Sequence, residues 1–578
     1  LKFSLSNITR FIPIVDTLKN YDKRNLKGDV NAGVTVAIML IPQGMAYAVL
    51  AGLPPVYGLY ASIVPIIIYA IFGTSRQLAF GPVALISLLV LAGVSQYAEP
   101  GTERYIQLAI LTAFGVGVVQ FAMGVLRGGF LVNFLSHPVL SGFVSAAAII
   151  IGASQLRNLL GLSIDRGSDV HEILWAIITN FSDISSVTAV IGIGSLVVMK
   201  MLKMWKSTFP AALTVVILGT LTANIFNLQD QGLSIVGDIP LGLPFFEAVA
   251  ISTDDIGFLW PTILAIALIS FMESIAIAKA MASKRGYKID ANQELIGLGS
   301  ANLVGSFFQA YPTTGGFSRT AVNDQAGAAT TVASIISALL VALTVMFLTP
   351  LFYYLPMTVL AAIIIFAVIS LVDVSEIKFL WETDRRDFMM LALTFIITLF
   401  IGIEEGIIAG VVISLAVVIY SSTKPHNAEL GRLGDSNTFR NIERYEQAKV
   451  DEDILIYRFD SSLYFANTDF FIESITQRID NKGEKLELVI LDASAINSID
   501  STGLHIIQEL IKDLKLRRID FYIAGALGPV RDQLKRCGII EVMGEENFFF
   551  DVSDALAAYK YSKKDQLIEK FSPTQSKF

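Results

Sequence analysis

A single cysteine in 578 residues, Cys537, excludes an intramolecular disulfide framework. Charge is scarce as well. Asp, Glu, Lys and Arg make up 16% of the chain, against about 25% in soluble domains. The four histidines, His137, His171, His426 and His505, are dispersed without ligand spacing, so no metal and no cofactor is expected. The chain lacks the Gly-rich phosphate loop that ends in Lys-Ser/Thr, which excludes ATP-driven work by this polypeptide. It also shows no hydrolase or transferase constellation and no basic stripe that would mark a nucleic-acid partner. The first 28 residues are polar and basic, without the basic–apolar–small order of a cleaved signal. The expectation is a protein that is not an enzyme.

What the chain does hold is apolar residues, 53% of the total, with a mean hydropathy of +0.61. Their distribution is uneven. Apolar runs dominate from about Val30 to Tyr420, and charged residues become frequent from Ser421 onward. The division predicts a polar segment over 1–28, an all-α polytopic membrane domain over 29–421 and a linker over 422–440. A small α/β domain over 441–560 and a tail over 561–578 follow.

Fourteen segments are candidates for helices that cross or enter a bilayer. The first seven are 29–50, 57–72, 82–96, 105–126, 138–156, 186–203 and 209–227. The second seven are 258–280, 293–309, 317–327, 329–349, 356–372, 388–402 and 405–421. The stretch around Glu172 to Phe181 is amphipathic and is expected to lie along the lipid interface. With the N-terminus inside, Arg76, Arg127, Lys200, Lys203, Lys284, Arg285, Arg385 and Arg386 also fall inside, as the positive-inside rule requires. The predicted outer loop from Leu228 to Gly257 holds five acidic residues and no Lys or Arg. An even number of spans leaves both termini cytoplasmic, in a multi-pass protein of the cell's inner (plasma) membrane.

The third segment of each half is unusually short: 82–96, after the break Gly73-Thr-Ser-Arg-Gln77, and 317–327, after Tyr311-Pro-Thr-Thr-Gly-Gly316. Seven spans per half give the halves opposite orientations, so the two short helices run in opposite directions with their N-termini facing near the midplane. Such paired interruptions mark the substrate site of secondary transporters built on a seven-plus-seven inverted repeat. Helix N-termini carry free N–H groups and positive dipole ends, so the expected ligand is an anion.

The C-terminal region alternates strand and helix. Ile454 to Arg458 reads as a strand, Asn467 as the cap of a helix to about Ile479, and Leu486 to Asp492 as a buried strand. Asp500 caps a helix from Thr502 to about Leu516. Phe521 to Ala524 and Phe548 to Phe550 follow as strands, each with a helix after it.

Ile41-Pro-Gln-Gly-Met-Ala-Tyr-Ala48, then Ala51-Gly-Leu-Pro-Pro-Val-Tyr-Gly-Leu-Tyr60, resembles the signature of the SulP sulfate permease family. Phe80-Gly-Pro82 and Gly315-Gly-Phe-Ser-Arg-Thr-Ala-Val-Asn323 resemble that family's third and tenth helices, and Phe271-Met-Glu-Ser-Ile-Ala-Ile-Ala-Lys279 its eighth. Tyr457-Arg-Phe-Asp460, Tyr464-Phe-Ala-Asn467, Leu491-Asp-Ala-Ser494 and Asp500-Ser-Thr-Gly503 resemble its C-terminal STAS domain. The likeness spans nearly the whole chain, in order. It implies core and gate subdomains, elevator-like alternating access and a homodimer.

The candidate site residues follow. Arg319 is an intramembrane cation, costly unless paired or functional. With the Ser318 hydroxyl and the backbone N–H groups near Ser318 and Ala84, it forms an anion cradle. The competing reading, an arginine paired with a carboxylate to lock the break, is the less favoured. Gln43 and Tyr47 lie four apart and share a helix face. The resemblance implies that they line the pocket with Val83, and Phe317 belongs to the same set. Val83 stands where many relatives carry an aromatic residue. An interhelical hydrogen bond is the alternative reading for Gln43. Glu273 sits about thirteen residues into its span, where it is either a proton carrier or a static partner of Arg319. The resemblance implies proton coupling. Glu404 and Glu405 fall in an outer turn and are read as solvated. Thr502 aligns with the residue that related bacterial STAS proteins phosphorylate, although capping by Asp500 explains the local pattern without a kinase.

The resulting expectation is proton-coupled sulfate symport. Bicarbonate or a dicarboxylate such as fumarate would satisfy the same physics, and an uncoupled anion exchanger or channel, or a sensor signalling through its STAS domain, are the rivals. Inorganic anion, proton, membrane lipid, a second copy of the chain and a cytoplasmic partner of the STAS domain are the expected partners.

Overall fold

The computed structural model describes residues 11–130, 136–162, 170–206, 209–369, 371–434 and 436–571. It forms two compact units, Leu1–Ser414 and Leu415–Phe578.

The first unit is helical. Among the described residues, eight helices are long and apolar enough to cross a membrane, including Lys23–Leu50, Glu103–Val125, His137–Leu160 and Thr253–Arg285. Shorter apolar helices include Ala84–Val94, Ala211–Ile225 and Val332–Phe347. A helix lies in each of the fourteen segments; most are apolar runs bounded by Gly, Pro or charge, whereas the Phe317–Gln325 helix carries Arg319, Asn323 and Asp324. The segment 57–72 is not one uninterrupted helix but two, Pro55–Tyr60 and Val64–Phe72. The amphipathic Val170–Thr179 helix leaves Trp175 and Ile178 exposed.

Small residues set the helix spacing. A Cβ on Gly117 would fall 2.4 Å from the Leu303 nitrogen, and one on Gly299 equally close to the Phe121 nitrogen. The Glu103–Val125 and Ala291–Ser306 helices therefore meet backbone to backbone, the close approach that membrane bundles use in place of a hydrophobic driving force.

The two chain breaks meet. Phe80–Gly81 pairs antiparallel with Thr314–Gly315, Phe80 opposite Gly315 and Gly81 opposite Thr314. The chain thus enters the half-helices Ala84–Val94 and Phe317–Gln325 from opposite directions, with both N-termini beside this short ribbon.

The second unit is a seven-stranded sheet. In spatial order its strands are Phe439–Asn441, Asn427–Leu433, Ile454–Phe459, Leu488–Asp492, Asp520–Ala524 and Phe548–Phe549, and Ala448–Lys449 pairs with Asn427–Leu433. Pairing is antiparallel on the Asn427–Leu433 side and parallel from Ile454–Phe459 onward. Side-chain alternation gives the sheet two buried faces. Leu455, Tyr457 and Phe459 pack with Phe471 and Ile507, while Ile454 and Ile456 pack with Val552, Leu556 and Tyr559.

Three local expectations need correction. Residues 427–433, read as linker, form a strand bonded to Ile454–Phe459. The stretch read as a tail from 561 continues the Val552–Phe571 helix. Asn467 makes no side-chain cap to the Thr468–Lys482 helix. Its Oδ1 accepts from the Tyr464 amide at 3.0 Å and its Nδ2 donates to the Ser462 carbonyl at 2.9 Å, fixing the loop before the helix instead.

Candidate functional site at two facing half-helices

Neither half-helix has a side-chain cap. Val83 precedes the first with extended backbone (φ −136°, ψ 153°), and Gly316 precedes the second (φ −105°, ψ 124°). The first-turn N–H groups of both helices therefore converge on one region with no side chain among the described residues bound to them, which makes the region electropositive.

Arg319 folds back under this ribbon. It is 2% exposed, and a Cβ on Gly316 would lie 2.9 Å from its Nη2. Glycine at 316 is thus what lets the guanidinium lie flat against the backbone. The Nε and Nη2 atoms are buried without a hydrogen-bond partner among the described residues, as are Oε1 of Gln43 and Oε2 of Glu273. Unpaired buried polar atoms are costly, and here four of them belong to three of the residues the sequence singles out. No ion pair within 4 Å joins Glu273 to Arg319 among the described residues, so the reading of a static pair is not what the structure contains. The two are nonetheless within electrostatic reach of each other and of Tyr47, and Tyr311 lies within reach of Arg319.

Gln43 is 7% exposed and lies, with the buried Tyr47, on the Leu26–Leu50 helix. Val83 and Ala84 are buried at the mouth of the first half-helix. Phe317 is 60% exposed and Ser318 is exposed as well, so the first turn of the second half-helix turns one face outward while Arg319 turns in. Thr502 belongs to the other unit. It is exposed one residue into the Ser501–Leu516 helix, whose cap is Asp500 Oδ1 accepting from the Gly503 amide at 2.8 Å. Glu405 is exposed, and the side chain of Glu404 lies outside the described residues.

Sequence reasoning passed over the residues that hold the breaks in place. Glu294, fully buried, accepts from the Thr74 and Ser75 amides at 2.6 and 2.9 Å and from the Tyr69 hydroxyl at 2.8 Å. Asn302 accepts from the Thr313 amide at 2.8 Å and donates to the Thr313 carbonyl at 3.1 Å. Gln120 ties Asn302 to Ser270, and Ser274 accepts from the Gly315 amide at 2.9 Å. Across the ribbon, Thr320 Oγ1 accepts from the Ala79 amide at 3.0 Å, and Gly316 donates to the Ala79 carbonyl at 3.0 Å. The available signal was polar residues recurring inside apolar helices: Ser270 and Ser274, four apart, flank Glu273.

The chain matches the sulfate permease family over residues 26–394 and the STAS domain over residues 445–555. It is 43% identical over 562 residues to the chloroplastic sulfate transporter 4.1 of Arabidopsis thaliana, covering 94% of this chain and 82% of that one. It is 35% identical over 569 residues to the high affinity sulfate transporter 2 of Stylosanthes hamata, covering 95% and 86%. Its structure resembles that of the murine Solute Carrier 26 family member A9 anion transporter in the inward-facing state, with a TM-score of 0.89 at 25% identity over 97% of this chain and 96% of that one. The transmembrane domain of a cyanobacterium bicarbonate transporter, BicA, shares the fold at a TM-score of 0.60 and 22% identity, over 67% and 98% of the two chains. A likeness this extensive, reached independently of the half-helix geometry, makes the chain a member of the sulfate permease family: a multi-pass membrane transporter of anions, with a C-terminal STAS domain and no enzymatic role.

Proposed function

We propose that this chain carries sulfate across the membrane by proton-coupled symport, moving a core that holds the two half-helices against a gate. The observation that carries the reading is the buried Arg319 guanidinium, two of whose nitrogens are unpaired, set between two uncapped helix N-termini. An oxyanion there would accept from Arg319, the Ser318 hydroxyl and the first-turn amides around Ala84 and Ser318, while Gln43, Tyr47, Val83 and Phe317 shape the pocket. Charge-assisted bonds to a fixed guanidinium are the strongest available to such a ligand. The names of the relatives, sulfate transporters from two plants, support sulfate within the anion class.

Glu273 supplies the coupling. It lies within electrostatic reach of Arg319 without pairing to it, so it is available to take a proton when an anion offsets the arginine. The loaded site then crosses with less net charge, which lowers the cost of moving it through a low-dielectric core. The Lys and Arg placement supports cytoplasmic termini, and a cell-membrane location is part of the same proposal. A homodimer, lipid contacts, a cytoplasmic partner for the STAS domain and regulation at Thr502 belong to the same reading.

Labelled sulfate uptake into proteoliposomes tests it, under an inward proton gradient, with Glu273→Gln and Arg319→Ala in parallel. The expected result is uptake stimulated by the gradient, uncoupled by Glu273→Gln and abolished by Arg319→Ala. Uptake indifferent to the gradient would replace symport by exchange or a channel. Accumulation of fumarate or bicarbonate but not sulfate would overturn the substrate.

A further inference from the structure

Ser274 follows Glu273 directly and turns toward the second break. Its hydroxyl lies 2.9 Å from the Gly315 amide and 2.8 Å from Thr314 Oγ1, and Thr314 Oγ1 lies 2.8 Å from the Ser270 carbonyl. The direction of this chain is forced. The Ser270 carbonyl can only accept, so the Thr314 hydroxyl donates to it. Thr314 must then accept from Ser274, and Ser274 accepts the Gly315 N–H. One polarised series therefore runs from the Gly315 amide through Ser274 and Thr314 to the backbone of the helix that carries Glu273. Ser270, Ser274 and Thr314 are all buried, where such series reinforce one another. Gly315 immediately precedes Gly316, the residue that opens the Phe317–Gln325 half-helix and against which the Arg319 guanidinium lies.

We propose that Ser274 is a positioning residue through which the Glu273 helix and the anion-binding half-helix are held in one register, so that proton occupancy and anion affinity are coupled. The inference rests on the reading of Glu273 as the proton carrier. Among the described residues, Arg319, on the half-helix, and Tyr47, on the Leu26–Leu50 helix, are the titratable or charged groups within electrostatic reach of Glu273. Both approach it across the site, whereas Ser274 reaches the half-helix through the backbone. A break that slid relative to the Glu273 helix would keep both charges and lose their mutual geometry.

The test is sulfate uptake by the full chain in proteoliposomes, with KM and its dependence on pH measured for wild type, Ser274→Ala, Ser274→Thr and the double variant Glu273→Gln/Ser274→Ala. Ser274→Ala is expected to raise KM about tenfold, the order of one buried hydrogen bond, and to flatten its pH dependence. Ser274→Thr, which keeps the hydroxyl, restores both. On the Glu273→Gln background the serine substitution should leave the pH dependence unaltered, since coupled residues are not additive. A Ser274→Ala protein that loses only maximal rate, with KM and pH dependence as in wild type, would overturn the proposal and leave a merely structural serine. If Glu273→Gln itself keeps the wild-type pH dependence, it is the assignment of Glu273 that fails. Should Ser274→Ala not fold, Thr314→Val cuts the same series one link further on and is judged by the same two quantities.

Discussion

Asn302 holds Thr313 as a neighbouring strand would, its amide oxygen taking the Thr313 N–H and its amide nitrogen meeting the Thr313 carbonyl, at 2.8 and 3.1 Å. A ribbon of two residues per strand cannot extend its own pairing to Thr313, which precedes it and is 1% exposed. One side chain from the Ala291–Ser306 helix supplies what a third strand would.

Asn302→Leu is therefore expected to leave the Thr313 N–H and carbonyl buried and unpaired, at about 1–3 kcal/mol for each. Thermal unfolding in detergent should show a clear loss of stability, and sulfate protection against unfolding should weaken with it. An unchanged melting temperature would mean that the break is held by Ser274 and the facing ribbon alone.

Gly316→Ala tests the seat of the arginine. The added methyl would meet Arg319 Nη2 at 2.9 Å, and the flexible side chain, not the backbone, has to give way. Stability should stay close to wild type while KM for sulfate rises several-fold. Unchanged uptake kinetics would show that the guanidinium does not need this position to bind.

Arg319→Lys keeps the charge and removes the planar fork. Losing one charge-assisted hydrogen bond, worth about 1.5–3 kcal/mol, corresponds to a KM raised by roughly ten- to a hundredfold. Equal sulfate affinity in the two proteins, measured by direct binding, would reduce the arginine to a point charge.

In the STAS domain, burial pushes the Asp460 carboxyl up, but hydrogen bonds from Arg458 and His426, at 2.6 Å each, more than offset it and hold it below its ordinary value of 3.8. A depressed carboxylate stabilises the fold above its unfolded value, and that contribution is lost as pH falls through the folded one. Asp460→Asn should cost a few tenths to about 1 kcal/mol near pH 7 for this partly exposed cluster, and nothing once the acid is protonated in both states. Hydrogen exchange of the Ile454–Phe459 amides against pH reads the difference. A gap between variant and wild type that persists under strongly acidic conditions would rule out the charge as its source.

The membrane segments, the two breaks and the candidate residues Arg319 and Glu273 were legible because each is signalled locally, whereas Gln43 was singled out through the family resemblance. Apolar runs of spanning length, Gly and Pro at the interruptions and ionisable groups inside apolar helices need no knowledge of neighbours. Where local pattern was weak, reading stopped short. Asn427–Leu433 holds no β-branched or aromatic residue and carries a glycine, so only its pairing with Ile454–Phe459 makes it a strand.

Sequence alone thus determined that this chain crosses a membrane many times, where two of its short helices follow a break, and which buried cation stands on the second of them. Tertiary structure alone decided how those beginnings are held. Glu294 binds Thr74 from 220 positions away, Gln120 reaches Asn302 across 182, and Ser274 meets Gly315 across 41. Buried polar groups must find partners wherever the packing brings them, and packing between distant segments leaves no periodic trace in the sequence of either one.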